Sequence, residues 1–324
     1  RVHPAPAHVH LGAAHHRDLG VGSDLLTVWG DGTGETVHVE TDDVEVLFDG
    51  YLHRHGGASL AAVLPELARR VITARPVLEG QESGLFHLVV QDKRTGDIHL
   101  TSDPSSLLPL LFSCTDDGFV FSSHLYLAAR ALDAPADPMG VACRVALGHT
   151  LGSRTVFRDI ERLNPGELVT YRAATRRLER SYPEVYFAEQ IEPGPDLTDR
   201  IWDALVDAAR PVVEAAPTVG VMLSEGFDSR LVAGVLRHLG AHLHTFTHAT
   251  EATMGTRMVR RVGERLGSRH TFDFLDDGFP ADLDELRAQM LLADNLHVPY
   301  SGAGSKHFLH AGVDAVTTGY ALDT

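Results

Sequence analysis

Six consecutive residues, Ser224-Glu225-Gly226-Phe227-Asp228-Ser229, have the composition of an anion-binding turn. Gly226 lets backbone come close to an anion, and hydroxyls stand at both ends. The apolar run before them, Val219 to Leu223, reads as a buried strand. The run after them, Ser229 to Leu239, reads as a helix closed by Gly240. A phosphate placed there would meet free N–H groups and the positive end of the helix dipole. Asp228 cannot touch phosphate without repulsion, so its carboxylate suits Mg2+ or a brace of the loop. The G-x-x-x-x-G-K-[ST] spacing of a Walker A loop is missing. An ordinary strand-to-helix turn capped by Ser and Asp uses the same residue types.

Glu225 is the odd member. An unscreened carboxylate about 4 Å from phosphate costs on the order of 4 kcal/mol at an effective dielectric of about 20. That is roughly a thousandfold in affinity. A triphosphate therefore requires Glu225 to face outward or onto a cation while its backbone N–H stays in the cradle.

The elements that would position this turn alternate strand and helix. Leu243 to Thr247 is a strand, Thr256 to Leu266 a helix closed by Gly267, and His270 to Phe274 a strand. Asp284 to Leu292 is helical and Asp314 to Thr318 a further strand. Such alternation predicts a parallel sheet with right-handed crossovers and a ligand beyond the carboxyl ends of its strands. Upstream, LFHLVVQD, DIHLTSD, GFVFSS and ELVTYR read as short strands separated by turns. Residues 59–71 and 123–132 read as helices with one apolar face. That pattern predicts an α+β layered domain. EPGPDL, residues 192–197, reads as a linker between the two regions.

With Lys and Arg 28 against Asp and Glu 44, the net charge of −16 disfavours nucleic acid or anionic lipid as a partner. No apolar run approaches the roughly 20 residues of a bilayer span. The two cysteines, Cys114 and Cys143, form no disulfide framework and read as small core residues, which makes a reduced cytoplasmic setting the default. Five histidines among the first 16 residues read as a solvated lead-in.

VMLSEGFDSRLVAGVL resembles the S-G-G-x-D-S pyrophosphate loop of the asparagine synthetase family, and AVTTGYALDT resembles that family's S-G-x-G-x-D-E segment. LHTFTH and GTRMVRRVGERLGSRHTFDF are similar to the elements between them. DGYLHRHG, GLFHLVVQDKRTGDIHLTSDPSSLLPLLF and LGSRTVFRDIERLNPGELVTYR resemble its glutaminase-like half. The resemblance implies an α+β sandwich like that of N-terminal-nucleophile hydrolases, followed by an α/β parallel-sheet ATP pyrophosphatase domain of the PP-loop type. The expected boundaries are a flexible lead-in over 1–24, a degenerate glutamine amidotransferase-like domain over 25–190, and an ATP-binding domain over 196–324. It further implies ATP and Mg2+ as cofactors. Leu223, Ser224, Glu225, Gly226, Asp228, Ser229, His248, Thr318 and Gly319 would then lie against ATP and pyrophosphate, with Asp228 and Asp323 on the magnesium ion. The plain alternative for His248 is an exposed loop histidine, and for Asp323 a solvated carboxylate.

The departures from the pattern bear on activity. The family's glutaminase nucleophile is an N-terminal Cys, and here residue 1 is Arg. Its N-G-E-x-Y-N stretch becomes Asp49-Gly50-Tyr51-Leu52-His53-Arg54, so a tyrosine replaces the acid that would hold glutamine's amine. Tyr320 and Thr324 replace acids near the second ATP motif. The resemblance is thus to the glutaminase-dead branch that includes β-lactam synthetases and lasso-peptide cyclases. It implies a ligase that adenylates a carboxylate of a small molecule or peptide, releases pyrophosphate and joins an amine already in the substrate. The family's catalytic base and lysine are expected beyond Thr324. A glutamine-dependent asparagine synthetase whose start precedes Arg1 and a non-catalytic scaffold stay open as alternatives, as does pairing in a homodimer or with a partner protein.

Overall fold

The structure, a computed structural model, describes residues 36–53, 59–79, 82–116, 118–183, 194–274 and 311–317, with the backbone of 15–21 and 24–30. The helix expected over 284–292 lies outside these residues, as do Thr318, Gly319, Tyr320, Asp323 and Thr324. The chain divides into two compact units, Arg1–Gln190 and Ile191–Thr324.

In the first unit, β1 (His15–Val21) and β2 (Asp24–Gly30) form an antiparallel hairpin. Regular backbone therefore begins inside the stretch expected as a flexible lead-in. There follow β3 (Thr36–Glu40), β4 (Val44–His53), α1 (Leu60–Ile72), β5 (Ser83–Asp92), β6 (Ile98–Ser102), β7 (Leu111–Thr115) and β8 (Gly118–Ser122). Next come α2 (Leu125–Leu132), α3 (Pro138–Leu147), β9 (Glu161–Arg162), β10 (Leu168–Arg172) and β11 (Arg177–Ser181). An antiparallel sheet of order β11-β10-β6-β5-β4-β3 and a second of order β8-β7-β9 result. The period of two in strands sorts their side chains into layers. Val46, Phe48, Leu88 and Val90 pack against Leu64 and Leu67 of α1. Val89 and Leu100 point the other way, onto Phe112 of the smaller sheet. Leu111, the neighbour of Phe112, faces α2. Helix, sheet, sheet, helix is the layered sandwich that the strand and helix pattern predicts.

Sequence periodicity misses α3. Its ends are well marked, because Asp137 accepts the Met139 N–H, Pro138 opens the helix and Gly148 at φ 79° closes it. It shows no inward apolar stripe, since it meets the unit through Gly140, where a Cβ would lie 2.0 Å from the Thr155 carbonyl oxygen.

The second unit opens with α4 (Leu197–Ala215), followed by β12 (Thr218–Met222), α5 (Phe227–His238), β13 (His242–Ala249), α6 (Met254–Leu266), β14 (Arg269–Phe274) and β15 (Ala315–Thr317). Helix α4 stands directly after the expected linker and was hidden by Pro211 within it. Ala209, Val212 and Val213 nevertheless dock on the core of this unit. The sheet order is β14-β13-β12-β15, with every pair parallel. Val219, Val221 and Leu223 meet Ala233 and Leu236 of α5 and Val259 of α6 beneath it.

His270 on β14 sits under α6 with its Nδ1 2.8 Å from the Thr245 hydroxyl. Burial, with Arg260 and His244 adding to it, pushes its imidazole down to about 4. The unfolded chain takes up this proton near 6.5, whereas the fold resists it until about 4. Stability is therefore intact above about 6.5 and declines as pH falls through that window. Denaturant unfolding at about pH 7 and about pH 5 should show the loss, and His270→Gln should shrink the difference between the two.

Candidate functional site

The chain leaves β12 toward β13 and β14 on one side and returns on the other side as β15. The carboxyl end of β12 is therefore the topological switch point, where an open parallel sheet leaves a crevice for ligand. Loop 224–229 starts there. Its first anchor is Leu223, whose N–H donates to the Phe246 carbonyl (2.8 Å) and whose carbonyl accepts the Thr247 hydroxyl.

Two serines then shape the loop. The Ser224 N–H donates to Ser229 Oγ at 3.0 Å, and the two hydroxyls are 2.9 Å apart. Ser229 Oγ also lies 3.3 Å from the Ser224 carbonyl, and the Gly226 N–H donates to Ser224 Oγ at 3.1 Å. Ser229 is 6% exposed, whereas Ser224 faces solvent. Ser229 is thus the buried clasp of the loop and Ser224 its outer hydroxyl. Helix α5 begins at Phe227, two residues before the expected start at Ser229, because Gly226 in extended conformation serves as N-cap. No side chain caps that end, which leaves the opening amides to an external acceptor. Asp228 lies in this first turn, where the helix dipole favours a carboxylate. The Arg230 side chain is drawn back onto the loop. Its Nε donates to the Gly226 carbonyl (3.0 Å), and its guanidinium lies 4.5 Å from the centre of the Phe227 ring.

Glu225 is exposed and leans away from its own loop. A Cβ built on Gly255, at the start of α6, would lie 1.8 Å from Glu225 Oε2. The loop after β12 therefore reaches the start of α6. His248 is not the exposed loop residue of the plain alternative. Strand β13 runs on to Ala249, pairing His248 with Asp273, so the imidazole is only 12% exposed. Its ring meets Phe246 at 4.7 Å, and Nδ1 is 3.8 Å from Asp273 Oδ2.

For a metal, Asp228 supplies the hard oxygen donor that Mg2+ prefers. No group of three metal-ligating side chains occurs among the described residues. That donor set still fits Mg2+, which is commonly held by one or two carboxylates together with substrate phosphates.

The first unit contains a second place with chemistry. Gly50 has φ +128°, and a Cβ there would lie 2.2 Å from the Leu85 carbonyl oxygen, so only glycine fits. Beside it, Asp49 accepts the Thr36 hydroxyl (2.8 Å) and faces His87 Nδ1 at 3.8 Å. His87, helped by that hydroxyl, holds the Asp49 carboxyl below the usual carboxylate range. The Tyr51 phenol is pushed up by burial and by Asp103. Contrary to expectation, neither cysteine is a core residue. Cys114 is near the turn end of β7 and Cys143 is on the weakly packed α3, both only partly buried. Burial and Asp116 raise the Cys114 thiol, which lowers its nucleophilicity.

Residues 200–294 match the asparagine synthase family, and residues 77–183 match a glutamine amidotransferase domain. The carboxyethyl-arginine beta-lactam-synthase of Streptomyces clavuligerus is 32% identical over 195 residues, covering 58% of this chain and 35% of that protein. The chain is similar to the asparagine synthetase family over most of its length. An asparagine synthetase [glutamine-hydrolyzing] of Asparagus officinalis is 24% identical over 294 residues, or 83% of this chain and 45% of that one. A second, from Arabidopsis thaliana, is 33% identical over 129 residues, or 36% and 22%. The matched stretches thus span less than half the length of these relatives. The loop 224–229 lies within the asparagine synthase match, and Tyr51 precedes the amidotransferase match. Among the described residues no helix is long and apolar enough to cross a membrane.

The clasp makes a stability prediction. Ser229→Ala removes the buried hydroxyl that accepts the part-buried Ser224 N–H, which costs about 0.5–1.5 kcal/mol. Urea unfolding should show that loss, and Ser229→Thr, which restores a hydroxyl, should recover part of it.

Proposed function

We propose that this chain binds Mg-ATP in the loop at the end of β12 and serves an amide-forming ligase that adenylates a carboxylate without hydrolysing glutamine. The observation that carries the reading is the uncapped start of α5 beneath a serine-clasped glycine loop, at the switch point of a parallel sheet in this family. A carboxylate oxygen of the substrate attacks the α-phosphorus, the bond to the bridging oxygen of the β-phosphate breaks, and pyrophosphate leaves. An amine nitrogen then forms the bond to the acyl carbon, expelling AMP and releasing a proton.

The opening amides of α5 and the exposed Ser224 hydroxyl hold the departing pyrophosphate, a stabilisation aimed where charge develops. Ser229 acts one step back, by keeping the loop concave. Asp228 and Asp323 would hold Mg2+, which would supply positive charge to offset that of the phosphates. His248, Thr318 and Gly319 are proposed to line the nucleotide. Independence from glutamine is supported by Tyr51 in place of an acid. The similarity to a β-lactam synthase supports a substrate whose amine and carboxylate belong to one small molecule or peptide.

Calorimetric titration of the protein with Mg-ATP should show binding that weakens about tenfold in Asp228→Asn and on removal of Mg2+. Labelled pyrophosphate should exchange into ATP when the cognate carboxylate is supplied, with no stimulation by glutamine. A wild type that fails to bind while Glu225→Gly binds would favour the non-catalytic scaffold instead. Glutamine-stimulated amide formation would favour the glutamine-dependent synthetase.

A further inference from the structure

Glu225 lies in the loop after β12 and Gly255 in the first turn of α6, and the carboxylate of the one fills the place where the other would carry a Cβ. A Cβ on residue 255 would lie 1.8 Å from Oε2, 2.8 Å from Cδ and 3.4 Å from Oε1 of Glu225. The first two distances are impossible for a real side chain, and all three atoms belong to the one carboxylate. The acid therefore occupies a space that exists because residue 255 has no side chain. Gly255 is not there for its backbone freedom: it sits in the first turn of α6, where any residue adopts the conformation and glycine weakens a helix. A side chain at 255 would have to move the free end of Glu225 out of this space, so the placement of the carboxylate and the glycine at 255 go together.

The place is electrostatically suited to an anion. The start of α6 is the positive end of its dipole. The capping box between Thr253 and Thr256 engages the amides of those two residues, at 2.8 and 3.3 Å, and fixes the turn on which the carboxylate rests. The neighbouring loop is tied down by Ser229 and Arg230 but has no other described side chain reaching across to α6.

We infer that Glu225 is a positioning residue that latches the phosphate loop to the start of α6 through the bare backbone of Gly255. The latch parks the carboxylate's charge on the α6 dipole rather than in the cradle, and Gly255 thereby governs nucleotide affinity. This rests on the nucleotide reading of loop 224–229, and it explains how an acid is tolerated at its second position.

The test is a double-mutant cycle on the full chain using wild type, Gly255→Ala, Glu225→Ala and the combined variant. Each is titrated with Mg-ATP and melted without it. A methyl at 255 evicts the carboxylate toward the phosphates, so Gly255→Ala should weaken Mg-ATP about tenfold when Glu225 is present and less than about twofold in the Glu225→Ala background. Without nucleotide, Gly255→Ala should lower the melting temperature when Glu225 is present. When it is absent the same change should be neutral or stabilising, because alanine is the better helix residue. Equal effects of Gly255→Ala in both backgrounds would overturn the latch. If no variant binds Mg-ATP, the nucleotide reading fails and the role in affinity fails with it, while the melting comparison still decides whether the contact exists.

Discussion

Strand β12 is hydrogen-bonded on both sides by parallel partners, β13 and β15, and the arrangement of the candidate site follows from that constraint. A strand held this way cannot shift its register without breaking two ladders and exposing Val219, Val221 and Leu223, which are 0 to 2% exposed. Its carboxyl end is therefore a fixed point. Because the chain goes outward on one side and returns on the other, that fixed point is also where the sheet opens. The loop at 224–229 inherits a rigid base from Leu223, bonded to both Phe246 and Thr247 of β13. Preorganisation of the loop thus originates in the sheet, and the serine clasp transmits it along the turn.

The amidotransferase-like unit illustrates the opposite case, a fixed backbone frame whose surface side chains depart from the pattern it resembles. The backbone approach at Gly50 is close enough to exclude any Cβ. Around it, a carboxylate paired with Thr36 and a buried histidine, and a half-exposed tyrosine, stand where the family pattern has an amide and an acid. Geometry of this sort is demanded by the sandwich itself, since β4 and β5 pair over ten residues on each strand. The side chains on its surface are free to differ.

Much of the architecture was legible in the sequence. The strands of the parallel sheet are short, β-branched and bounded by glycines, and their helices close on Gly240 and Gly267, so period and punctuation agree. Helix α4 was not legible because Pro211 interrupts its pattern. Helix α3 was not legible because its exposed residues, Met139 and Val145 among them, are as apolar as its packed ones. Both cysteines were misplaced for a related reason: a small apolar residue is usually buried, but a strand end and a weakly docked helix leave it half open.

For the site, residue types and spacing alone determined that a hydroxyl- and glycine-containing turn joins a buried strand to a helix, and that one acid in it conflicts with phosphate. Those are local properties, carried by neighbours in the chain. What only the tertiary structure decided is which hydroxyl is clasp and which is exposed, that His248 belongs to a strand, and where the acid goes. Each depends on a partner 5 to 30 residues away, such as Ser224 with Ser229, His248 with Asp273 and Glu225 with Gly255. Side-chain direction is set by packing across elements, and no window along one strand of sequence contains it.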